Sequence, residues 1–222
     1  MSLFHSPKII TNNLVIYLDA VNPKSYPGSG NVWYDLSGKG NHCNWGVLPT
    51  FNTNYFTFNG SSMYGTITNN SSLDFSSEQT LIMILRHTYT SGRKNPWNQA
   101  YGGYGTWTHE NGNMMTYFFG DAGSNNSPYI GPVSPTTLRS VWNILCTVRN
   151  TTNYYWYLNT VPGNTSTHGY GVLTTTSADI TIGSGYAGYW QGDMSLVQAY
   201  NRALSVSELQ QNFNALKGRY GL

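Results

Sequence analysis

Charge is scarce in this sequence of 222 residues: 9% of the residues are Asp, Glu, Lys or Arg, against about a quarter in an average globular chain. The lysines and arginines stand singly, and with a net charge of +2 they build no basic stripe that could neutralise a phosphate backbone. Nucleic acid is therefore not an expected partner. Long apolar runs are also missing. The longest, such as Leu81 to Leu85, are far too short to cross a bilayer, so no membrane insertion is expected. Met1 to Asn13 lacks the hydrophobic core of a signal peptide, and no secretory leader is expected. Cysteine is limited to Cys43 and Cys146, far apart and without metal-type spacing. Two free buried thiols are one reading of the pair, and a disulfide between strands is the other.

What is abundant is aromatic and turn-forming: 15% of residues are aromatic, 18 of them Tyr, and there are 24 Gly. Short β-branched and aromatic runs recur between Gly, Asn, Pro and Ser clusters, the pattern of antiparallel strands joined by turns. The spacing predicts strands over Leu14–Leu18, Tyr55–Phe58, Tyr64–Ile67, Thr80–Arg86, Met114–Phe119, Trp142–Arg149, Asn153–Leu158, Asp179–Ile182 and Asp193–Tyr200. One helix is predicted near the end. Ser205 stands three residues before Glu208 as a capping box, Leu209, Phe213 and Leu216 share a face, and Gly218 offers a terminator. Asp35 to Asn41 reads as a turn-rich loop able to fold back under a sheet. No repeat or linker divides the chain, which gives an N-terminal arm at 1–13, with little reason to join the core, and one all-β domain at 14–222.

Five segments in order carry a family resemblance: LVIYLDA at 14–20, NPKSYPGSG at 22–30, WYDLSGKGNHC at 33–43, FTFNGSSMYGTI at 56–67 and GDMSLVQAYNRALSVSELQQNFNALKGRYG at 192–221. The series resembles the laminin G-like domains of the concanavalin A-like lectin/glucanase superfamily, of the kind found in structural proteins of tailed bacteriophages of marine and cyanobacterial hosts. The resemblance implies a jelly-roll sandwich of two curved antiparallel sheets, with ligands meeting the concave sheet or its rim loops. It also implies a virion location, assembled in the host cytoplasm.

Glycanases of this fold carry two glutamates and an aspartate on one strand face, because retaining hydrolysis needs two carboxyls about 5 Å apart. This chain has only Glu78, Glu110 and Glu208, widely separated; Glu208 reads as a cap, Glu78 as a strand-start residue and Glu110 as a lone carboxylate in a hairpin. No Gly-x-Ser-x-Gly elbow is present, and His5, His42, His87, His109 and His168 never reach metal-ligand spacing and read as turn or surface residues. No catalytic residues are expected, and the chain is not expected to be an enzyme. The resemblance also raises calcium, often held in this superfamily. Asp19, ending the first strand, and Asp193, opening the last, are the expected oxygen ligands if those strands are neighbours, although Asp19 and Asp35 equally suit local turns.

The lead to a ligand is aromatic. Trp97, Tyr101, Tyr104 and Trp107 crowd the Gly-rich stretch Pro96 to Trp107, which reads as a loop; exposed rings there suit a sugar, a protein interface, or packing over one end of the sandwich. Two functions follow as expectations. One is a lectin-like module binding host surface polysaccharide as a phage adhesin or a fibre or decoration component. The other is a structural virion protein that contacts capsid, neck or tail partners without binding glycan. A homo-oligomer suits either, although no heptad announces one.

Overall fold

The computed structural model describes residues 7–99, 105–110, 114–119, 129–130 and 134–220. Its strands pair antiparallel into two eight-stranded sheets. The first sheet holds β1 (Leu14–Asp19), β4 (Thr50–Phe51), β5 (Phe56–Asn59), β7 (Gln79–His87), β12 (Asn143–Arg149), β13 (Asn153–Leu158), β14 (Val161–Thr167) and β16 (Gln191–Tyr200). The second holds β2 (Val32–Trp33), β3 (Cys43–Val47), β6 (Tyr64–Ile67), β8 (Arg93–Gln99), β9 (Gly105–Glu110), β10 (Met114–Phe119), β11 (Tyr129–Ile130) and β15 (Ile180–Ile182). The spatial orders are β14-β13-β12-β7-β16-β5-β4, with β1 also on β16, and β11-β10-β9-β8-β15-β6-β3-β2. This is the expected all-β sandwich.

Period-two alternation explains the layers. Along β7, Leu81, Met83 and Leu85 face the second sheet, while Ile82 and Ile84 face outward. The inter-sheet core is aromatic, with Trp33, Trp97, Trp107, Trp156 and Trp190 all fully buried. The outward apolar row needs its own cover, and helix α1 (Val206–Leu216) supplies it. Leu209 and Leu216 are buried against Ile82, Ile144 and Leu196, with Phe213 packed beside them. Ser205 accepts from the Glu208 amide and the Glu208 carboxylate returns to the Ser205 amide, so the predicted capping box is present. Gly218 does not end the helix; it lies inside the 3-10 turn Lys217–Arg219 that extends it.

Cys43 points into the inter-sheet core and Cys146 into the layer beneath α1. They are free thiols on different faces, which removes the disulfide reading, and burial pushes both well above the ordinary thiol range. The N-terminal arm joins the fold more than its composition suggests. Ile10 donates its amide to Asn212, its carbonyl accepts from the Tyr200 hydroxyl, and Ile9 and Ile10 pack on the layer beneath α1.

The loop after β2 protects an edge. Among the described residues strand β1 has β16 as its one ladder partner, and the loop lines its other edge. Leu36 donates its amide to the Tyr17 carbonyl, Tyr17 donates to the Asp35 carboxylate, and Asn41 donates to the Val15 carbonyl. Asp35 also accepts from the Ser37 amide and hydroxyl and from the Asn41 amide. The turn residues at 35–41 are thus a strand substitute.

Candidate functional site

The expected aromatic loop is not a loop where it can be seen. Trp97 lies on β8 and Trp107 on β9; they face each other in register across the ladder, and both rings are fully buried. Trp107 packs at 5.0 Å on Trp156 of the opposite sheet. The reason is alternation: Trp97 and Trp107 occupy inward positions, so their rings fill the sandwich instead of meeting solvent. Tyr101 and Tyr104 lie outside the described residues.

The two aspartates expected to hold calcium are each paired with an arginine. The first and last strands are neighbours as expected, but Asp19 pairs in register with Leu196, not with Asp193. The Asp19 carboxylate accepts from Arg219, the Tyr17 hydroxyl and the Val21 amide. The Asp193 carboxylate is paired with Arg86 and accepts from the Thr57 hydroxyl. Two carboxylates each neutralised by a guanidinium do not fit a divalent cation, and no cluster of three His, Cys, Asp or Glu exists among the described residues. Two of the histidines expected at turns or on the surface, His87 and His168, are interior, while His42 is half-buried. His87 is buried at the end of β7, and His168 is buried with Nε2 bonded to the Asn150 carbonyl; its pKa is lowered, first by desolvation. Glu78 accepts from the Ala203 amide, Glu208 is tied to Arg202, and Glu110 ends β9 at the β9–β10 hairpin.

Exposed aromatic surface is found instead on the outer face of the second sheet. A register row crosses four strands there: Asn98 on β8, Thr181 on β15, Thr66 on β6 and Asn44 on β3. Adjacent strands stand about 4.8 Å apart, so the row is an extended ladder of amide and hydroxyl groups. None of the four is buried. Tyr64 shares this face with Thr66 and lies across Gly46. A Cβ on Gly46 would meet the Tyr64 ring at 2.4 Å, so only glycine admits the ring at that position.

The loop Gly183–Tyr189 brings two more rings. Tyr186 is 67% exposed and Tyr189 36%, and the Tyr189 ring centroid lies 6.4 Å from that of Tyr64. The loop is pinned, chiefly by Asn95 of β8. Its side-chain oxygen accepts from the Ala187 amide at 2.5 Å, its own amide donates to the Gly188 carbonyl at 3.2 Å, and its side-chain nitrogen donates to the Trp107 carbonyl at 2.8 Å. Thr181 adds a hydroxyl bond to the Ser184 carbonyl. Gly185 lets the loop lie this close, since a Cβ there would meet Asn95 and Asn98 at 2.8 Å. Rings over a ladder of amides and hydroxyls can stack on sugar faces and bond their hydroxyls. Sequence reading missed this loop although GSGYAGY carries the same Gly-aromatic signal as Pro96–Trp107.

Comparison with known proteins agrees with the architecture. Residues 58–210 match the Laminin_G_3 family model, described as the concanavalin A-like lectin/glucanases superfamily. No curated protein sequence matches the chain. Among solved structures, a Trypanosoma rangeli sialidase in complex with 2,3-difluorosialic acid is similar with a TM-score of 0.69 at 15% identity, over 93% of this chain and 34% of the sialidase. The binding domain of botulinum neurotoxin serotype D is similar with a TM-score of 0.72 at 12% identity, over 93% of this chain and 53% of that one. The binding domain of botulinum neurotoxin DC in complex with SialylT gives 0.68 at 13% identity, over 93% and 52%. The chain thus spans about a third of the sialidase and about half of the toxin domains, and these likenesses concern the fold.

Proposed function

Because the chain belongs to the concanavalin A-like lectin/glucanases superfamily, we propose that it is a non-catalytic carbohydrate-binding module whose site is the tyrosine-edged outer face of the second sheet. The observation that carries this reading is the pinned loop Gly183–Tyr189, which holds Tyr186 and Tyr189 in solvent beside the Asn98–Thr181–Thr66–Asn44 ladder. Covering exposed rings with a ligand removes apolar surface from water, which is favourable, and a loop fixed in advance gives up little entropy on binding. The absence of a catalytic role is supported by the glutamates. Glu78 and Glu208 are consumed by backbone and arginine contacts, and no second glutamate accompanies Glu110 in sequence.

The resemblance of the terminal segments to phage structural proteins supports placing the module on a virion, where it would hold the particle to host surface polysaccharide. Glycan-array binding of the purified protein tests the reading. Saturable binding to at least one glycan that is lost in Tyr189→Ala, with the melting temperature unchanged, is expected. Absence of binding to every glycan, together with a defined oligomer in solution, would overturn it in favour of a structural virion protein.

A further inference from the structure

On the outer face of the first sheet, α1 covers one half and leaves an aromatic and charged group on the other. Arg86 of β7 faces Asp193 of β16, and Asp193 faces Thr57 of β5. Trp142 immediately precedes the β12 residue that pairs with Leu85, which sets its ring beside Arg86. The guanidinium carbon lies 4.8 Å from the Trp142 ring centroid and 5.1 Å from that of Tyr55. The two rings stand 5.5 Å apart at 71°.

The electrostatics give Arg86 a free end. Asp193 takes the guanidinium through Nε, and its other oxygen accepts from the Thr57 hydroxyl at 2.5 Å. Asp193 is only 6% exposed along its side chain, so its charge is spent inside this pair. The two terminal nitrogens of Arg86 make no hydrogen bond to any described residue, and the side chain is 29% exposed. Neutralising Asp193 takes one nitrogen and needs no rings. A planar fork tied at its inner nitrogen and flanked by two rings has lost its rotamer freedom before any ligand arrives.

We infer that this is a second binding site, separate from the tyrosine face, in which the Arg86 fork takes the carboxylate of an acidic sugar residue whose ring lies on Trp142. A carboxylate matches the fork with two parallel charge-assisted hydrogen bonds, which a neutral hydroxyl or an ester does not. The site is shallow, so the attraction is screened by salt. The ligand class is acidic polysaccharide, with polygalacturonate as the probe.

The test is calorimetric titration of the wild-type chain with polygalacturonate and with its methyl ester, at low and high salt. The acid is expected to bind about tenfold or more tighter than the ester and to weaken with salt. Arg86→Lys, which keeps the charge and removes the fork, is expected to lose about tenfold in affinity while remaining folded by circular dichroism. Tyr189→Ala, on the other face, is expected to leave acid binding intact, which keeps failure of this site distinct from failure of the tyrosine face. Equal binding of acid and ester, no binding of either, or full affinity in Arg86→Lys would overturn the inference. If Arg86→Lys does not fold, the wild type decides through oxidation of Trp142 by N-bromosuccinimide. Protection by galacturonate but not by galactose supports the site, and equal protection or none overturns it.

Discussion

Pro96–Trp107 and Gly183–Tyr189 have nearly the same composition, glycine interleaved with large rings, yet their described rings meet opposite fates. Trp97 and Trp107 are fully buried, whereas Tyr186 and Tyr189 stand in solvent. Register makes the difference. The tryptophans sit on paired strands at inward positions, while the tyrosines sit on a connection folded back over the outside of the same sheet. Aromatic content therefore says that rings must be placed, and the ladder decides on which side.

Substitutions can sharpen or break that contrast. The largest effect is expected for Trp107→Ala, which leaves a cavity between the sheets and lowers stability by about 3–5 kcal/mol in chemical denaturation. A near-neutral result would mean that the ring does not belong to the core. Asn95→Ala comes next, at about 1–3 kcal/mol, because the Ala187 amide and the Trp107 carbonyl lose their shared partner. It should also weaken glycan binding, and binding that stayed full would show that the loop needs no pin.

Ser205→Ala is a remote control expected to cost about 1 kcal/mol by thermal unfolding while leaving binding intact. Its partner Glu208 supplies a pH signature. The Arg202 guanidinium holds the Glu208 carboxyl down to about 2, against about 4.3 in an unfolded chain. A depressed carboxyl stabilises above the unfolded value and loses that contribution as pH falls through the folded one, so stability should drop between about pH 4 and 2. Glu208→Gln should flatten that part of the profile, and an unchanged slope would remove the assignment. The smallest stability effect, within about 0.5 kcal/mol, is expected for Tyr186→Ala, with loss of affinity as its visible consequence.

The same logic explains what could be read in advance. Each predicted strand falls on an observed one: Leu14–Asp19, Gln79–His87 and Asn143–Arg149 are largely apolar runs buried on both faces, while Phe56–Asn59, Tyr64–Ile67 and Ile180–Ile182 alternate. The strands that were missed lack that signal. β14 is a largely exposed edge containing Pro162 and Gly163, and β8 carries Pro96 and a register shift between Lys94 and Trp97. The capping box was legible because its geometry is local to Ser205 and Glu208. Pairings between distant residues were not: Arg86 with Asp193 and Arg219 with Asp19 depend on strand neighbours and on the turn after α1. Without those arginines, two aspartates near adjacent strands look like cation ligands.

Asn95 couples two parts of the molecule that the chain order keeps far apart. One amide fixes the distance between the hairpin carrying Trp107 and the loop carrying Tyr186 and Tyr189, so the two cannot shift independently. Within the loop Gly185 is tied to the same side chain, since a Cβ there would meet Asn95 and Asn98 at 2.8 Å, so a change at either position is felt at the other.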